Sequence, residues 1–300
     1  MASTATEYIG DSGKKYTVQR ILRDQGIQHL RVYLATTGEE KVILKHVHKD
    51  YFKYMQTVQA KLRGASTIRL PQDTILHDVI FVYRYLTDYL LNLATEALPL
   101  GERKRILRDH STSSLANLLV DVKPDNILID FYRIASGISI NTVQLTDLED
   151  SIYIPEGFNI VGRSPKVHIS SPINTYSDMF SFALVCVYAV YKRILMAIPD
   201  SEIGEDEEPV VVVLWRQISY FGNWDDIRAL KALMKKGSPW RPALSILYSD
   251  IGHDNPLTPL LQFQGIDADF KDLIGKMTSF DPKKRISAKE AMAHKWFADL

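Results

Sequence analysis

The strongest restriction on the fold comes from residues 177–195, SDMFSFALVCVYAVYKRIL, which are apolar on nearly every side. A helix without a polar face is stable only when other elements surround it, so this segment predicts a helix buried inside a larger helical body. Its uninterrupted apolar run, residues 180–190, is too short to cross a bilayer and is followed by Lys192 and Arg193. We therefore expect a buried central helix at 178–193.

The first third of the chain has the pattern of a small sheet. The stretches YTVQRIL and HLRVYLA alternate in polarity, and residues 36–39 predict a hairpin turn into the strand KVILKHV. Residues 50–62 place apolar side chains at helical spacing, and this helix should end at Gly64. Two short strands, within 66–76 and 79–86, complete a sheet with one helix.

The remainder of the chain is mainly helical. Residues 88–96 and 102–119 are its first two helix candidates, and a strand and a hairpin follow. In the last third, four stretches have a helical pattern: VVVVLWRQISYF, DIRALKALMKK, DADFKDLIGKMTSF and SAKEAMAHKWF. A sheet-rich beginning followed by helices is typical of an α+β fold with two lobes.

The domain organisation follows from this division. We expect a flexible arm at residues 1–13 and one domain at 14–300. Within the domain, a small antiparallel-sheet lobe should occupy 14–86 and a larger helical lobe 87–300.

Charge and cysteine content exclude several classes of protein. Lys plus Arg and Asp plus Glu number 36 each, so net charge gives no basis for binding nucleic acid or an anionic membrane. The single cysteine, Cys186, cannot form an intrachain disulfide and favours a reducing compartment. The first 15 residues lack the apolar centre of a signal peptide. We expect an intracellular protein, cytoplasmic or nuclear, that binds neither nucleic acid nor a membrane.

The segment DVKPDNILID, residues 121–130, carries the most specific chemistry. Phosphoryl transfer to a hydroxyl needs a carboxylate at the attacking oxygen and oxygen ligands for Mg²⁺. Asp121 and, five positions later, Asn126 supply both kinds of group. The alternative is that Asp121 and Asn126 only form an ordinary turn before a strand. That alternative would not explain the further motifs found elsewhere in the chain.

This segment resembles the catalytic loop of eukaryotic protein kinases of the Ser/Thr type. Four more segments resemble motifs of that family in the same chain order: VILK at 42–45, DLE at 147–149 in place of D-F-G, SDMFSFA at 177–183, and DPKKRISA with HKWF at 281–297. The resemblance covers residues 15–297. The hinge segment VYRYLTDYLLNL is similar to kinase-like proteins of filamentous fungi.

The resemblance implies the α+β bilobal protein-kinase fold, with ATP and Mg²⁺ as cofactors. It implies that Asp121 is the catalytic base, that Lys123 contacts the transferred phosphate, and that Lys45 holds the α- and β-phosphates. It also implies that Asn126 and Asp147 bind the metal. Under this resemblance we expect Lys45, Asp121, Asn126 and Asp147 to converge on one cleft between the lobes.

The phosphate loop departs from the family pattern G-x-G-x-x-G-x-V. Residues 24–32 retain only Gly26, slightly displaced, and a closing Val32. Fewer glycines keep the backbone farther from the phosphates. Ile43 stands where the family prefers Ala and would press on the adenine, while Leu128 completes the expected nucleotide contacts.

The partner of Lys45 also departs from the pattern. The resemblance implies a Glu on the following helix, but residues 51–64 contain no acidic residue. Gln56 or Gln59 could supply a hydrogen bond but no charge.

Three further departures concern regulation and the large lobe. Leu119-Val120 replaces His-Arg, so a phosphorylated loop has no local arginine. Glu149 replaces the glycine of D-F-G. Lys166 replaces the Glu of A-P-E and would repel Arg285. The short stretch between Leu107 and the catalytic loop also suggests a missing segment.

Three functions are compatible with these residues. The first is a weak Mg-ATP-dependent Ser/Thr protein kinase, and the second is a pseudokinase that acts as a non-catalytic binding or scaffold module. The third, a small-molecule kinase, is disfavoured by Lys123-Pro124 and by the closing motif. Either of the first two has a protein as its substrate or binding partner, and the sequence does not identify that protein.

Overall fold

The computed structural model of the chain contains two compact units. The first unit consists of Met1–Tyr89 with Leu128–Asp150, and the second of Leu90–Ile127 with Ser151–Leu300. The residues that the structure describes are 6–24, 26, 31–96, 98–111, 118–119, 122–135, 137–148, 152–153, 175–199, 203–204, 208–234, 236–249, 258–281 and 283–300.

The strands are numbered in chain order. They are β1 (Glu7–Ile9), β2 (Lys15–Arg23), β3 (Val32–Thr37), β4 (Glu40–His46), β5 (Asp73–Ile75), β6 (Ile80–Arg84), β7 (Asp88–Tyr89), β8 (Leu118–Leu119), β9 (Ile127–Ile134), β10 (Gly137–Leu145) and β11 (Ile152–Tyr153).

The helices are numbered in the same way. They are α1 (Lys49–Lys61), α2 (Leu90–Leu93), α3 (Leu100–Ser111), α4 (Thr175–Tyr191), α5 (Pro209–Phe221), α6 (Trp224–Leu233), α7 (Trp240–Ser249), α8 (Ala268–Thr278) and α9 (Ala288–Met292), with 3₁₀ turns at Pro124–Asn126, Leu260–Gln262 and Lys295–Phe297.

The first unit is a curved antiparallel sheet of strand order β1-β2-β3-β4-β6-β5. The turn after β1 hydrogen-bonds to β5 at the opposite edge, because Asp11 N donates to Thr74 O (2.8 Å). Tyr16 of β2 also donates its OH to Asp73 of β5 (2.7 Å). The sheet thus closes around an apolar core. Its buried members are Tyr16, Tyr33, Ala35, Val42, Leu44, Ile75, Ile80 and Val82.

The other face of the sheet is covered by α1. Phe52 of α1 stacks on Phe81 of β6 with ring centroids 4.6 Å apart. The apolar spacing of 50–62 therefore predicts this helix and its buried face correctly, and β3 and β4 form the predicted hairpin.

The beginning of the chain differs from the prediction. In place of a flexible arm through residue 13, Glu7–Ile9 form β1, which pairs with β2. A strand of three residues is too short to give a periodic pattern in the sequence. The pairing also depends on Asp73 and Thr74, which are distant in sequence and hydrogen-bond to the turn between β1 and β2.

The hairpin β9–β10 belongs to the first unit by its contacts, whereas the prediction assigns all of 87–300 to the helical lobe. Two contacts explain this grouping. β9 pairs with β7, and Leu145 at the end of β10 bonds to the loop after α1.

The second unit is helical, with one two-stranded antiparallel sheet of β8 and β11. Its central helix, α4, is buried as predicted. It packs with α5, α6 and α7 through one apolar cluster. The buried members of this cluster are Phe180, Leu214, Ile218, Ile227, Met234, Leu244 and Phe280. Together the two units confirm the predicted α+β class.

Two predicted helices are shorter in the structure. The candidate at 102–119 ends at Ser111, and Leu118–Leu119 instead pair with β11. The candidate at 88–96 contains helix only at Leu90–Leu93, because Asp88 and Tyr89 pair with β9. In both cases a strand partner remote in sequence overrides local helical spacing.

The sequence analysis does not predict α7. Its Pro242 lies in the first turn, where proline is tolerated. Within the described part of the chain, no helix is long and apolar enough to span a membrane.

Candidate active site

Lys45 lies near the end of β4, opposite Val32 of β3 and Phe81 of β6. Its Nζ donates to Asp147 Oδ1 at 2.6 Å, and the two side chains are 24% and 37% exposed. Residues 102 positions apart in sequence therefore form a partly buried ion pair within the first unit. The predicted proximity of these two side chains is found.

Asp147 is held on both sides by fixed neighbours. Leu145 accepts a bond from Arg69 N and donates to Thr67 O, each at 2.8 Å. Leu148 is buried, and Asp147 has a φ of 61°. Aspartate is among the few residues that tolerate this left-handed backbone region, so the carboxylate is directed by a defined turn.

The helix beside Lys45 offers no carboxylate on its buried face. That face consists of Phe52, Met55, Val58 and Gln59. The one acidic residue of α1, Asp50, is 84% exposed and lies beside His48. Of the two expected amide partners of Lys45, Gln59 is buried whereas Gln56 is exposed.

The residues predicted to contact the adenine lie in the first unit. Ile43 is buried and lies opposite Leu34 and Tyr83, so these three side chains share one face of the sheet with Lys45 and Val32. Leu128 is buried in β9, opposite Tyr89.

The phosphate-loop position is partly described, since residues 25 and 27–30 lie outside the described part. Gly26 has a φ of 75°, and its N–H donates to Asp24 Oδ1 at 2.9 Å. Arg31 Nε donates to the other Asp24 oxygen at 3.0 Å. The bond from the Gly26 N–H, followed by that from Arg31, lowers the pKa of Asp24. The only loop glycine thus donates its N–H to the protein's own carboxylate.

Two of the predicted catalytic-loop residues, Lys123 and Asn126, lie in the second unit. Asp121 is outside the described residues. Lys123 precedes the 3₁₀ turn Pro124–Asn126 in extended conformation, and its Nζ is 4.0 Å from Asp125. Asn126 is buried and its N–H donates to Lys123 O at 3.0 Å. This turn fixes Lys123 and Asn126 relative to each other.

Most of the predicted regulatory departures also lie outside the described residues, namely Val120, Glu149 and Lys166. Arg285 is described and buried. Its guanidinium donates to Ser279 O and lies 5.6 Å from the Phe180 ring. Burial lowers the pKa of Arg285 to about 10, against the opposing effect of Asp226 and Asp281.

The sequence analysis misses Arg69. This buried residue donates Nη2 to Arg84 O at 2.6 Å, and its guanidinium lies 5.0 Å from the Tyr83 ring. Its backbone N–H also bonds to Leu145, two residues before Asp147. The only sequence signal is a single cation between the apolar residues Ile68 and Leu70.

The two residues predicted to bind the metal are Asp147, in the first unit, and Asn126, in the second. Carboxylate and amide oxygens are the hard ligands that Mg²⁺ prefers, so both residues are of the right type. Among the described residues no group of three or more His, Cys, Asp or Glu could hold a metal ion.

Comparison with known proteins identifies the family of the chain from its second part. The family model described as the protein kinase domain matches residues 110–297. The cyclin-dependent kinase B2-1 of Oryza sativa subsp. japonica is 28% identical over 196 residues, which cover 60% of this chain and 50% of that protein.

A second relative comes from Trypanosoma brucei brucei. Its cell division control protein 2 homolog 3 is 27% identical over 180 residues, or 60% of this chain and 53% of that protein. The chain spans about half the length of these curated relatives. Because the family model covers more than half of the chain, the chain belongs to the protein kinase domain family.

Proposed function

We propose that this chain is a weak Ser/Thr protein kinase that transfers the γ-phosphoryl group of ATP, with Mg²⁺, to hydroxyls of a protein substrate. The observation that supports it most is the 2.6 Å ion pair of Lys45 and Asp147. These two residues, remote in sequence, are the ones whose kinase roles require them to face the same nucleotide.

Each role follows from the chemistry of the side chain. Asp121 orients the attacking hydroxyl and takes its proton, Lys45 binds the α- and β-phosphates, and Lys123 neutralises charge on the moving phosphoryl group. Asp147 and Asn126 would hold Mg²⁺, which when bound neutralises charge on the phosphates. Catalysis of this kind depends on positioning and electrostatics, which these five side chains can provide.

The expected weakness of the activity has its cause in the residues predicted to bind the nucleotide. Gly26 already donates its N–H to Asp24, and the branched Ile43 lies on the face that carries Lys45 and Val32. Both features should reduce affinity for ATP without changing the catalytic base.

The test is phosphoryl transfer from radiolabelled ATP to a mixture of Ser/Thr peptides, compared with Asp121→Asn. We expect the variant to lose transfer by about 10²–10⁴-fold, the usual contribution of a general base, while Mg-ATP affinity changes by less than about twofold. Equal transfer by both proteins would contradict the assignment of Asp121.

The second candidate function is a pseudokinase that binds a protein partner without catalysis. It is favoured by the apolar buried face of α1, which leaves Lys45 without a helix carboxylate. Absence of nucleotide binding at millimolar Mg-ATP, where even a site of ~1 mM affinity is half filled, would establish this reading. Under either function we place the protein inside the cell, in cytoplasm or nucleus, with a protein partner.

A further inference from the structure

The segment 84–88 joins the two larger sheets of the first unit. It begins at the last residue of β6, in the six-stranded sheet, and ends at the first residue of β7, in the three-stranded sheet β10-β9-β7. Just before it, Tyr83 lies opposite Ile43, and just after it, Tyr89 lies opposite Leu128. Ile43 and Leu128 are the residues predicted to contact the adenine. The segment therefore connects the two strand pairs that carry these contacts.

Asp130 of β9 binds this segment at two points. Its Oδ2 accepts a bond from Arg84 Nη2 (3.0 Å), and its Oδ1 accepts one from Thr87 Oγ1 (2.9 Å). Asn141 of β10, the strand on the other side of β9, donates Nδ2 to Oδ2 at 2.8 Å. The Asp130 side chain is only 20% exposed, and hydrogen bonds to an ionised carboxylate are stronger than those between neutral groups. One carboxylate thus ties β6, the segment and β10 to β9.

The same carboxylate lies on the face of β9 that is predicted to meet the nucleotide. Side chains two positions apart in a strand share a face, so Asp130 lies on the same side of β9 as Leu128. Asp130 therefore reaches the segment 84–88 from the side on which the adenine is expected.

We propose that Asp130 is a positioning residue for the adenine, because it fixes the segment 84–88 before the nucleotide binds. A segment that is already ordered loses little conformational entropy when its ligand arrives, so fixing it raises affinity. Without the bonds to Asp130, the nucleotide itself would have to order the segment, and the affinity would fall by up to the free energy of the bonds lost. This inference rests on the proposed function, since it concerns the same nucleotide site.

Thr87 allows the smallest test. Thr87→Val removes the hydroxyl and keeps the branched shape, whereas Thr87→Ser keeps the hydroxyl. Each variant and the wild type are titrated by displacing a fluorescent ATP analogue with adenosine and, separately, with inorganic tripolyphosphate. Adenosine reports on the adenine part of the site and tripolyphosphate on the phosphate part, so a general loss of structure would weaken both ligands.

We expect Thr87→Val to weaken adenosine binding by about 3–10-fold, the effect of one lost hydrogen bond. Its affinity for tripolyphosphate should stay within about twofold of the wild type, and Thr87→Ser should match the wild type for both ligands. Unchanged adenosine binding in Thr87→Val, or equal weakening of both ligands, would overturn the proposal.

Two further variants complete the comparison. Asp130→Asn removes the charge and one acceptor oxygen, so it should weaken adenosine at least as much as Thr87→Val. Thr57→Val is the matched control, because Thr57 is exposed on α1 and its hydroxyl donates only to Lys53 O (3.1 Å). It should change neither affinity, and an adenosine loss equal to that of Thr87→Val would contradict the role of the segment.

The outcomes separate this inference from the proposed function. If the wild type binds adenosine and Thr87→Val binds it equally well, the inference fails and the kinase assignment remains. If the wild type binds neither the ATP analogue nor adenosine, both fail. If Asp130→Asn does not fold, or tripolyphosphate displaces nothing, the adenosine affinities of Thr87→Val and Thr87→Ser decide.

Discussion

Asp73 is the residue on which closure of the first unit depends. Its carboxylate accepts bonds from Ser12 Oγ (2.5 Å), Tyr16 OH (2.7 Å) and the N–H groups of Ser12 and Thr74. Burial by itself would raise the pKa of Asp73, but these four bonds lower it on balance. A single side chain thus joins the two edges of the sheet.

Gly10 lies against this carboxylate and has no room for a side chain. A Cβ at Gly10 would overlap the Asp73 carboxylate and lie 2.8 Å from the Tyr16 ring. We expect Gly10→Ala to lower the free energy of unfolding by about 1–3 kcal/mol, as for other overpacked sites. Urea unfolding followed by far-ultraviolet circular dichroism measures this.

The matched control is Gly101→Ala in α3, where a Cβ meets nothing within 4 Å. That change should leave stability unchanged or raise it by up to ~1 kcal/mol, because alanine favours the helix. If both variants lost the same free energy of unfolding, the close packing of Gly10 against Asp73 would not be what Gly10→Ala disturbs.

The pH dependence of stability tests the Asp73 carboxylate directly. Because its pKa is lower in the folded chain, its contribution is present above the unfolded pKa of about 3.9 and is lost as pH falls through the folded value. Asp73→Asn should therefore destabilise the chain at pH 7 by about 1–3 kcal/mol, the range for bonds to a charged group. The difference from wild type should shrink below about pH 4, as measured by urea titrations at both pH values.

At the scale of elements, the central helix α4 depends on one arginine at its carboxyl end. Arg103 of α3 is buried and donates Nη1 to Ala189 O (2.7 Å) and Val190 O (3.0 Å), while Nε donates to Leu98 O (2.9 Å). The carbonyls of Ala189 and Val190 lie in the last turn of α4, where no intrahelical donor reaches them. The positive charge also favours the carboxyl end of the helix dipole.

Arg103→Met should lower the free energy of unfolding by about 2–4 kcal/mol, because it leaves several buried carbonyls without donors. Arg105→Met, two positions along the same helix, is the control. Arg105 is 57% exposed and pairs only weakly with Glu102, so its loss should cost less than about 0.5 kcal/mol. Chemical unfolding of both variants measures the difference, and similar losses would contradict the capping role.

At the scale of the whole molecule, the departures on the nucleotide side of the family pattern lie outside the part of the chain that the family model matches. The match begins at residue 110, whereas the altered phosphate loop, Ile43 and the apolar α1 face all precede it. The first unit nevertheless forms an antiparallel sheet with Lys45 on β4. Backbone hydrogen bonds and an alternating pattern specify such a sheet, so it tolerates changes that weaken nucleotide contacts.

The sequence alone determined the features that depend on local pattern or on several motifs in order. The apolar segment at 177–195 predicted α4, the spacing of Phe52, Met55 and Val58 predicted α1, and the kinase-like motifs predicted that Lys45 and Asp147 meet. These features can be predicted from the sequence because they rest on a periodic pattern or on several motifs in a fixed order along the chain.

Only the tertiary structure decided the features that depend on a remote partner. Leu118–Leu119 became a strand because β11 pairs with it, and Glu7–Ile9 became β1 because β2 pairs with it and Asp73 holds the turn that follows. The counter-ion of Lys45 was decided in the same way. The sequence shows that α1 lacks an acid on its buried face, but the folding of β10 and its turn brings Asp147 within 2.6 Å of the ammonium group.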